Sequence, residues 1–382
     1  MSAELPDHLP GLQTNFDRES HLLAPYAMHS RDSAGRTYHE PEHPYRGPYQ
    51  RDRDRILHSS AFRRLSGKTQ VFTGDMGDYH RTRLTHTFEV ASIARTISRA
   101  LRLNEDLAEA LALFHDVGHP PFGHAGEDAL AECLANVGGF SHNRHALAIA
   151  EELEIRYHQF PGLNLTHEVL ESQISRVDKT NTTCKPLLEA QVVDAADSIT
   201  YDAHDADDAV KLGLLSLSEL AKIPLIAQLL RGIRDRCTDI DDNLLRNALV
   251  HELIDFQVSD LLRICGSHFA VHTYGSAMDA RHSDFTIGPS PELADQKREL
   301  EQFLYQKVYR HPQLLAVRAQ AQRRIRELYE TFVRNPTLLP RQFTARVGLI
   351  GVERAAGEYL AGMTDRFCDR QFERLKSRQS GG

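Results

Sequence analysis

Apolar residues recur at helical spacing along most of this chain, and nowhere do they alternate over a useful strand length. Val90, Ile93, Ala94, Ile97 and Leu101 fall on one face of a helix. Leu107, Ala110, Leu111 and Phe114 repeat the pattern behind Asn104, a good N-cap followed by the acidic Glu105 and Asp106. Gly118, Pro120 and Pro121 end that second helix. Further helical stretches run through 124–136, 144–158, 187–211, 244–263, 296–333 and 350–376. No βαβ rhythm and no internal repeat appears, so an all-α fold is expected.

The 382 residues, 41% of them hydrophobic, suffice for a sizeable core in one large domain or a few smaller ones, and exclude disorder as the main state. Residues 1–50, rich in Pro, Arg, His and Tyr without an apolar period, read as an arm that orders only against something else. Breaks are expected at Asn136–Ser141 and at Thr273–Pro291, the second being the better place for a boundary or a mobile loop. No run of about 18 apolar residues occurs, and Met1 to Pro10 lacks a signal pattern, so the expected location is the cytosol, away from membranes. The five cysteines are nowhere closer than 28 residues, which excludes CxxC knuckles and reads as reduced thiols.

A net charge of −8 gives no overall footprint for nucleic acid. The charge is uneven, however. Arg51 to Arg83 holds eight basic residues (Arg51, Arg53, Arg55, Arg63, Arg64, Lys68, Arg81, Arg83) against four acidic ones, a pattern that suits either a solvated helix face or a phosphate clamp. Directly downstream lie seven of the 21 histidines: His80, His86, His115, His119, His124, His142 and His145. His86 stands four residues before Val90 and His115 four after Leu111, so both belong to inward faces. Asp116 beside His115 would need a cation or hydrogen bonds if buried.

Asp194, Asp197, Asp202, Asp205, Asp207 and Asp208 crowd one further helix, where Asp197, Tyr201 and Asp205 share a face. Like charges at that density require compensating cations, and a metal would account for part of the set. His86, His115, Asp116 and Asp197 together form a mixed nitrogen and oxygen donor set suited to Mn, Mg, Fe or Zn. Ser66-Gly67-Lys68-Thr69 carries the GKT of a P-loop, but Phe62 occupies the position that motif reserves for glycine and no strand precedes it, so a P-loop is rejected.

His86, then His115-Asp116 followed by VGHPPFGHAGE, then Asp197 four residues before Tyr201, resembles the HD-domain superfamily of metal-dependent phosphohydrolases. DRDRILHSSAFRRLSGKTQVF (52–72), RTRLTHTFEVASIAR (81–95), FSHNRHALAIA (140–150), LEAQVVDAADSITYDAHD (188–205) and YLAGMTDRF (359–367) narrow the likeness to bacterial deoxyguanosine-triphosphate triphosphohydrolase-like proteins. The resemblance implies an N-terminal arm (1–50), a catalytic HD core (51–225) and a C-terminal helical region (226–382) packed on it. It also implies cleavage of a deoxynucleoside triphosphate at the α-phosphorus, to deoxynucleoside and tripolyphosphate, with a divalent metal (Mn, Mg or Fe). His124 and Glu127 match the proton-transfer pair. Arg83, and more weakly Arg64, match phosphate-binding arginines, and His119 and His142 match positions near the phosphates. Gln70 and Asp205 match residues that read the sugar 3′-hydroxyl, and Tyr201 an aromatic that crowds a 2′-hydroxyl. The family forms rings or tetramers, so a homo-oligomer (tetramer or hexamer) is implied, with nucleotide effectors or single-stranded DNA as further partners.

Two other readings stay open. One is an HD-type nucleotidase acting on deoxynucleoside monophosphates, against which the long basic window speaks. The other is a nucleotide- or nucleic-acid-sensing regulator with weak hydrolytic activity, disfavoured by the complete donor set and the His124/Glu127 pair.

Overall fold

The computed structural model describes residues 13–70, 81–177, 185–237 and 239–380. Among them the only β pairing is two isolated antiparallel bridges, Arg36 with Thr166 and Thr69 with Thr82, so the fold is all-α as expected. Helices begin where a side chain can accept an otherwise orphaned amide: Thr82 for Arg83–Ala100, Asn104 for Glu105–Phe114, Asp241 for Asp242–Val271. Others open on proline, which has no amide to orphan: Pro48–Leu57, Pro224–Arg236, Pro291–Leu304 and Pro312–Arg334.

The same proline chemistry corrects the expected 296–333 helix. It is two helices, Pro291–Leu304 and Pro312–Arg334, separated by a π-helical turn at Tyr305–Tyr309. The 350–376 stretch likewise divides into Val352–Ala361 and Asp365–Ser380. Helices His167–Val177 and Pro224–Arg236 were not anticipated, although Leu225, Ile226, Leu229, Leu230 and Ile233 give the second a clear buried face.

Three apolar cores result among the described residues. In the first, Val90, Ala94 and Ile97 of Arg83–Ala100 meet Leu107, Leu111 and Phe114 of Glu105–Phe114 and Val192, Val193 and Ala196 of Leu188–Lys211. The second gathers the C-terminal half of Leu188–Lys211 (Ala203, Ala206, Ala209) with Pro224–Arg236, Pro291–Leu304 and the start of Asp242–Val271. The third joins Ala125, Ala129 and Leu130 of Gly123–Cys133 to Pro312–Arg334, Val352–Ala361 and Asp365–Ser380. Each buried aliphatic side chain contributes about 1.5–3 kcal/mol, so each of these long helices is pinned by its apolar face. Helix Leu188–Lys211 belongs to two cores, and Gly123–Cys133 belongs to the third.

Residues 13–50 are not a free arm but pack on the chain's own body. Ala27, Met28 and Tyr49 are buried, Arg36 pairs with Asp52, and the Glu189 carboxylate accepts the amides of Met28 (2.9 Å) and Asn104 (3.1 Å). The 273–291 stretch is held as well, since Arg281 is buried and pairs with Glu171 while Ile287 joins the first core. No helix among the described residues is long and apolar enough to cross a membrane.

Candidate active site

His86 comes from the buried face of Arg83–Ala100, His115 caps the end of Glu105–Phe114, and Asp197 faces them from Leu188–Lys211. The structure therefore brings all four candidate donors together. His86 Nε2 is 2.9 Å from Asp197 Oδ1, and His115 Nε2 is 3.7 Å from the same oxygen and 3.5 Å from Asp116 Oδ1. Donor atoms of His86, His115 and Asp116 all lie within 4.8 Å of one another.

Two neighbours fix this cluster. The Ala112 carbonyl accepts from His115 Nδ1 at 2.6 Å, which leaves the lone pair on Nε2, an atom that is buried without a hydrogen-bond partner. Burial holds the His115 imidazole below its ordinary pKa despite the nearby Asp116 and Asp197, so the ring is neutral. Arg83 donates from Nη1 to Asp116 Oδ2 at 2.8 Å. Burial alone would raise the Asp116 carboxyl, but the Arg83 guanidinium and the surrounding histidines hold it well below the usual range. A neutral imidazole with a free inward lone pair beside ionised carboxylates is the donor set a divalent cation requires, so these residues fit the metal expected of them.

A second group adjoins the first. His119 Nε2 lies 3.3 Å from Asp116 Oδ1, and the His119 ring stacks on His142 with centroids 3.8 Å apart. That approach depends on Gly118, because a Cβ there would stand 2.0 Å from the His142 carbonyl and 2.5 Å from the Ala146 nitrogen. Glu127 accepts from the His142 backbone (2.9 Å) and faces His142 Nδ1 (2.7 Å) more closely than His124 Nδ1 (3.4 Å). Burial opposes its ionisation, yet its bonds to His124 and His142 keep the Glu127 carboxyl far below the ordinary range. His124 itself is half exposed, and its ring lies 5.5 Å from that of His119.

Beside this group is a cavity of about 470 Å³ whose wall includes Gln70, His124, Tyr201, Glu301, Tyr309 and Arg318. Tyr201 and Asp205 share the inward face, but Asp205 does not line the cavity. The Tyr309 hydroxyl stands between them, donating to Asp205 and bonded to the Tyr201 hydroxyl. Burial, with the Tyr309 and Tyr201 hydroxyls and nearby acids modifying it, pushes the Asp205 carboxyl up to about 7.

The remaining aspartates of that helix find their cations far along the chain: Asp202 at Lys297, Asp207 at Arg246 and Arg81, Asp208 at Arg81, Asp194 at Arg176. The basic window is spent in the same way. Arg51 and Arg55 meet Glu40, Arg53 meets Glu109, Arg81 meets Glu89 and Arg83 meets Asp116. It is thus mainly internal pairing, and its weight against a single-phosphate substrate falls accordingly. Arg64 is exposed, pairs with no carboxylate among the described residues and is absent from the cavity wall. His80 and the 71–80 stretch lie outside the described residues.

Sequence reading missed Tyr309, which sits in the π-turn inside what looked like one polar helix. It also missed Lys68, buried and donating to the carbonyls of His119 and Ala361, its ammonium pushed down to about 7 by burial. The rejected GKT motif was the available signal for Lys68; nothing local marks Tyr309.

Comparison with known proteins gives a consistent picture. Residues 83–202 match the HD domain and residues 287–374 the phosphohydrolase-associated domain. A deoxyguanosinetriphosphate triphosphohydrolase-like protein of Ralstonia nicotianae is 41% identical, covering 97% of this chain and 98% of its own. A protein of the same description from Geobacter metallireducens is 40% identical over 92% of this chain and 94% of its own, and one from a Caulobacter species is 42% identical over 92% and 96%. Carrying both domain matches in order and this likeness over nearly its full length, the chain belongs to the deoxyguanosinetriphosphate triphosphohydrolase-like family of HD-domain phosphohydrolases.

Proposed function

We propose that the protein hydrolyses deoxynucleoside triphosphates at the α-phosphorus, releasing the deoxynucleoside and tripolyphosphate. One observation carries this reading: a buried His/Asp donor cluster is joined through His119 and His124 to a cavity of about 470 Å³ walled by tyrosines, a volume suited to a nucleoside.

His86, His115, Asp116 and Asp197 would hold the divalent ion, whose chemistry there is to offset phosphate charge and to acidify water. The oxygen of a water adds to the α-phosphorus, the bond from phosphorus to the 5′-oxygen breaks, and the departing 5′-oxygen takes a proton. His124 can hold or move that proton at Nε2, since its Nδ1 faces Glu127. His119, neutral and stacked on His142, lines the path between the cluster and His124. Arg83 orients Asp116 and anchors the Gln70 carbonyl, so its charge acts on the cluster before it acts on any phosphate.

Tyr201 and Tyr309 give the cavity a flat aromatic wall, their rings parallel within 11°. Tyr201 in that wall would crowd a 2′-hydroxyl on a sugar packed against it, and Asp205, behind the Tyr309 hydroxyl, would reach a sugar hydroxyl by way of Tyr309. The test is product analysis with the four dNTPs, singly and in pairs, in Mn or Mg. Tripolyphosphate is the expected inorganic product; orthophosphate released from deoxynucleoside monophosphates alone would replace this reading with the nucleotidase one.

A further inference from the structure

Asp365 opens the last helix, Asp365–Ser380, in the region matching the phosphohydrolase-associated domain, yet its carboxylate is spent on the site. Oδ2 accepts from the Thr69 backbone (2.9 Å) and the Thr69 hydroxyl (2.6 Å), and Oδ1 accepts from the Phe122 backbone (2.9 Å). The two segments it grips carry different parts of the site. Thr69 precedes Gln70, Phe122 precedes the helix bearing His124 and Glu127, and Gln70, Phe122 and His124 all line the cavity.

The Phe122 segment is held in a strained backbone, whereas the Thr69 segment is also tied by its bridge to Thr82. Phe122 has φ +63° and Gly123 φ +57°, a left-handed pair that a phenylalanine avoids unless its surroundings hold it. A Cβ on Gly123 would stand 3.0 Å from Arg83 Nη2 and 3.1 Å from the Gln70 carbonyl, so the two segments are already in close contact. Lys68, next to Thr69, adds a parallel tie to the His119 carbonyl and, at 3.0 Å, to the Ala361 carbonyl.

We propose that Asp365 is a positioning residue through which the C-terminal helices fix the placement of Gln70 relative to His124 in the cavity wall. It touches neither cluster nor cavity and acts through two backbone amides. An asparagine can accept at one oxygen only, turning an N–H toward the other amide, and so keeps one segment and releases the other.

The test is made on the full-length chain. Hydrogen–deuterium exchange without nucleotide should rise at least tenfold at the Thr69 and Phe122 amides in Asp365→Ala, with Asp365→Asn intermediate, while the 105–114 core helix exchanges as in the wild type. In the metal-loaded enzyme kcat should fall at least 30-fold in Asp365→Ala, with metal content and melting temperature held, and Asp365→Asn should recover part of it. Unchanged exchange at both amides in Asp365→Asn, or a kcat that falls only in step with melting temperature, overturns the proposal. The kinetic arm rests on the proposed dNTP hydrolysis, but the exchange arm does not: a wild type inert toward every dNTP would defeat that function while exchange still decided the role of Asp365.

Discussion

The donor cluster and the cavity beside it are built on opposite plans. His86, His115, Asp116 and Asp197 sit on or just past the ends of helices of the first core, each oriented by one close neighbour: the Ala112 carbonyl under His115, Arg83 against Asp116, and Asp197 and His86 against each other. The cavity takes its wall from Gln70, Tyr201, Tyr309 and Arg318, residues spread over most of the chain and brought together only by the packing of the second and third cores. A preorganised cluster and an assembled cavity should therefore fail differently: damage to the cluster abolishes chemistry, and damage to the cavity degrades selection.

The sharpest break is at the cluster. His115→Ala should lower kcat by more than about 10³-fold, beyond the effect of removing a single transition-state donor, and bound metal measured by elemental analysis should fall with it. His86→Ala that left both metal and turnover intact would require a different donor set. Next in size is His124→Ala, which should cost about 10²–10³-fold in kcat, within the range for a lost general acid or base, with metal content unchanged; a parallel loss of metal would move His124 into the cluster. On the cavity side, Tyr309→Phe removes the hydroxyl between Tyr201 and Asp205. That should cost about tenfold in kcat/KM for dNTPs, in line with one hydrogen bond, and change the ratio of deoxy to ribo substrates, whereas His115→Ala should leave no ratio to measure.

The last expected effect is of another kind, on stability, and concerns Asp205. Its folded pKa, pushed up to about 7, lies above the unfolded value of 3.8, so between those pH values the unfolded chain has released a proton that the folded chain still binds. Stability contributed by this group is thus lost as pH rises from 4 to 7, at up to about 1.4 kcal/mol per pH unit. Urea midpoints across that range should fall less steeply for Asp205→Asn; equal slopes would show that Asp205 is ionised in the folded protein.

The two plans also explain what could be read before folding. Periodicity placed His86 and His115 on inward faces and Asp197, Tyr201 and Asp205 on one face, because a helix converts sequence spacing directly into direction. The compensating cations of the acidic helix were inferred in kind but not in identity, since Lys297 and Arg246 arrive from other helices. Tyr309 was invisible because a π-turn re-aims side chains without a change in composition. Residues 13–50 read only as an arm that orders against something else, because that something, with partners such as Glu189 and Asp52, lies beyond the reach of any local window.

The grip of Asp365 on Thr69 spans 296 residues of chain, and that of Lys68 on Ala361 spans 293. A chain leaving the ribosome therefore exposes the segments of Arg83–Ala100 and Glu105–Phe114, which carry His86 and His115, long before Asp365 has been synthesised. All four donors of the cluster have emerged once Leu188–Lys211 is made, whereas the grip proposed for Asp365 waits for the last helix, so the cluster and the cavity wall are completed at different points in the order of synthesis.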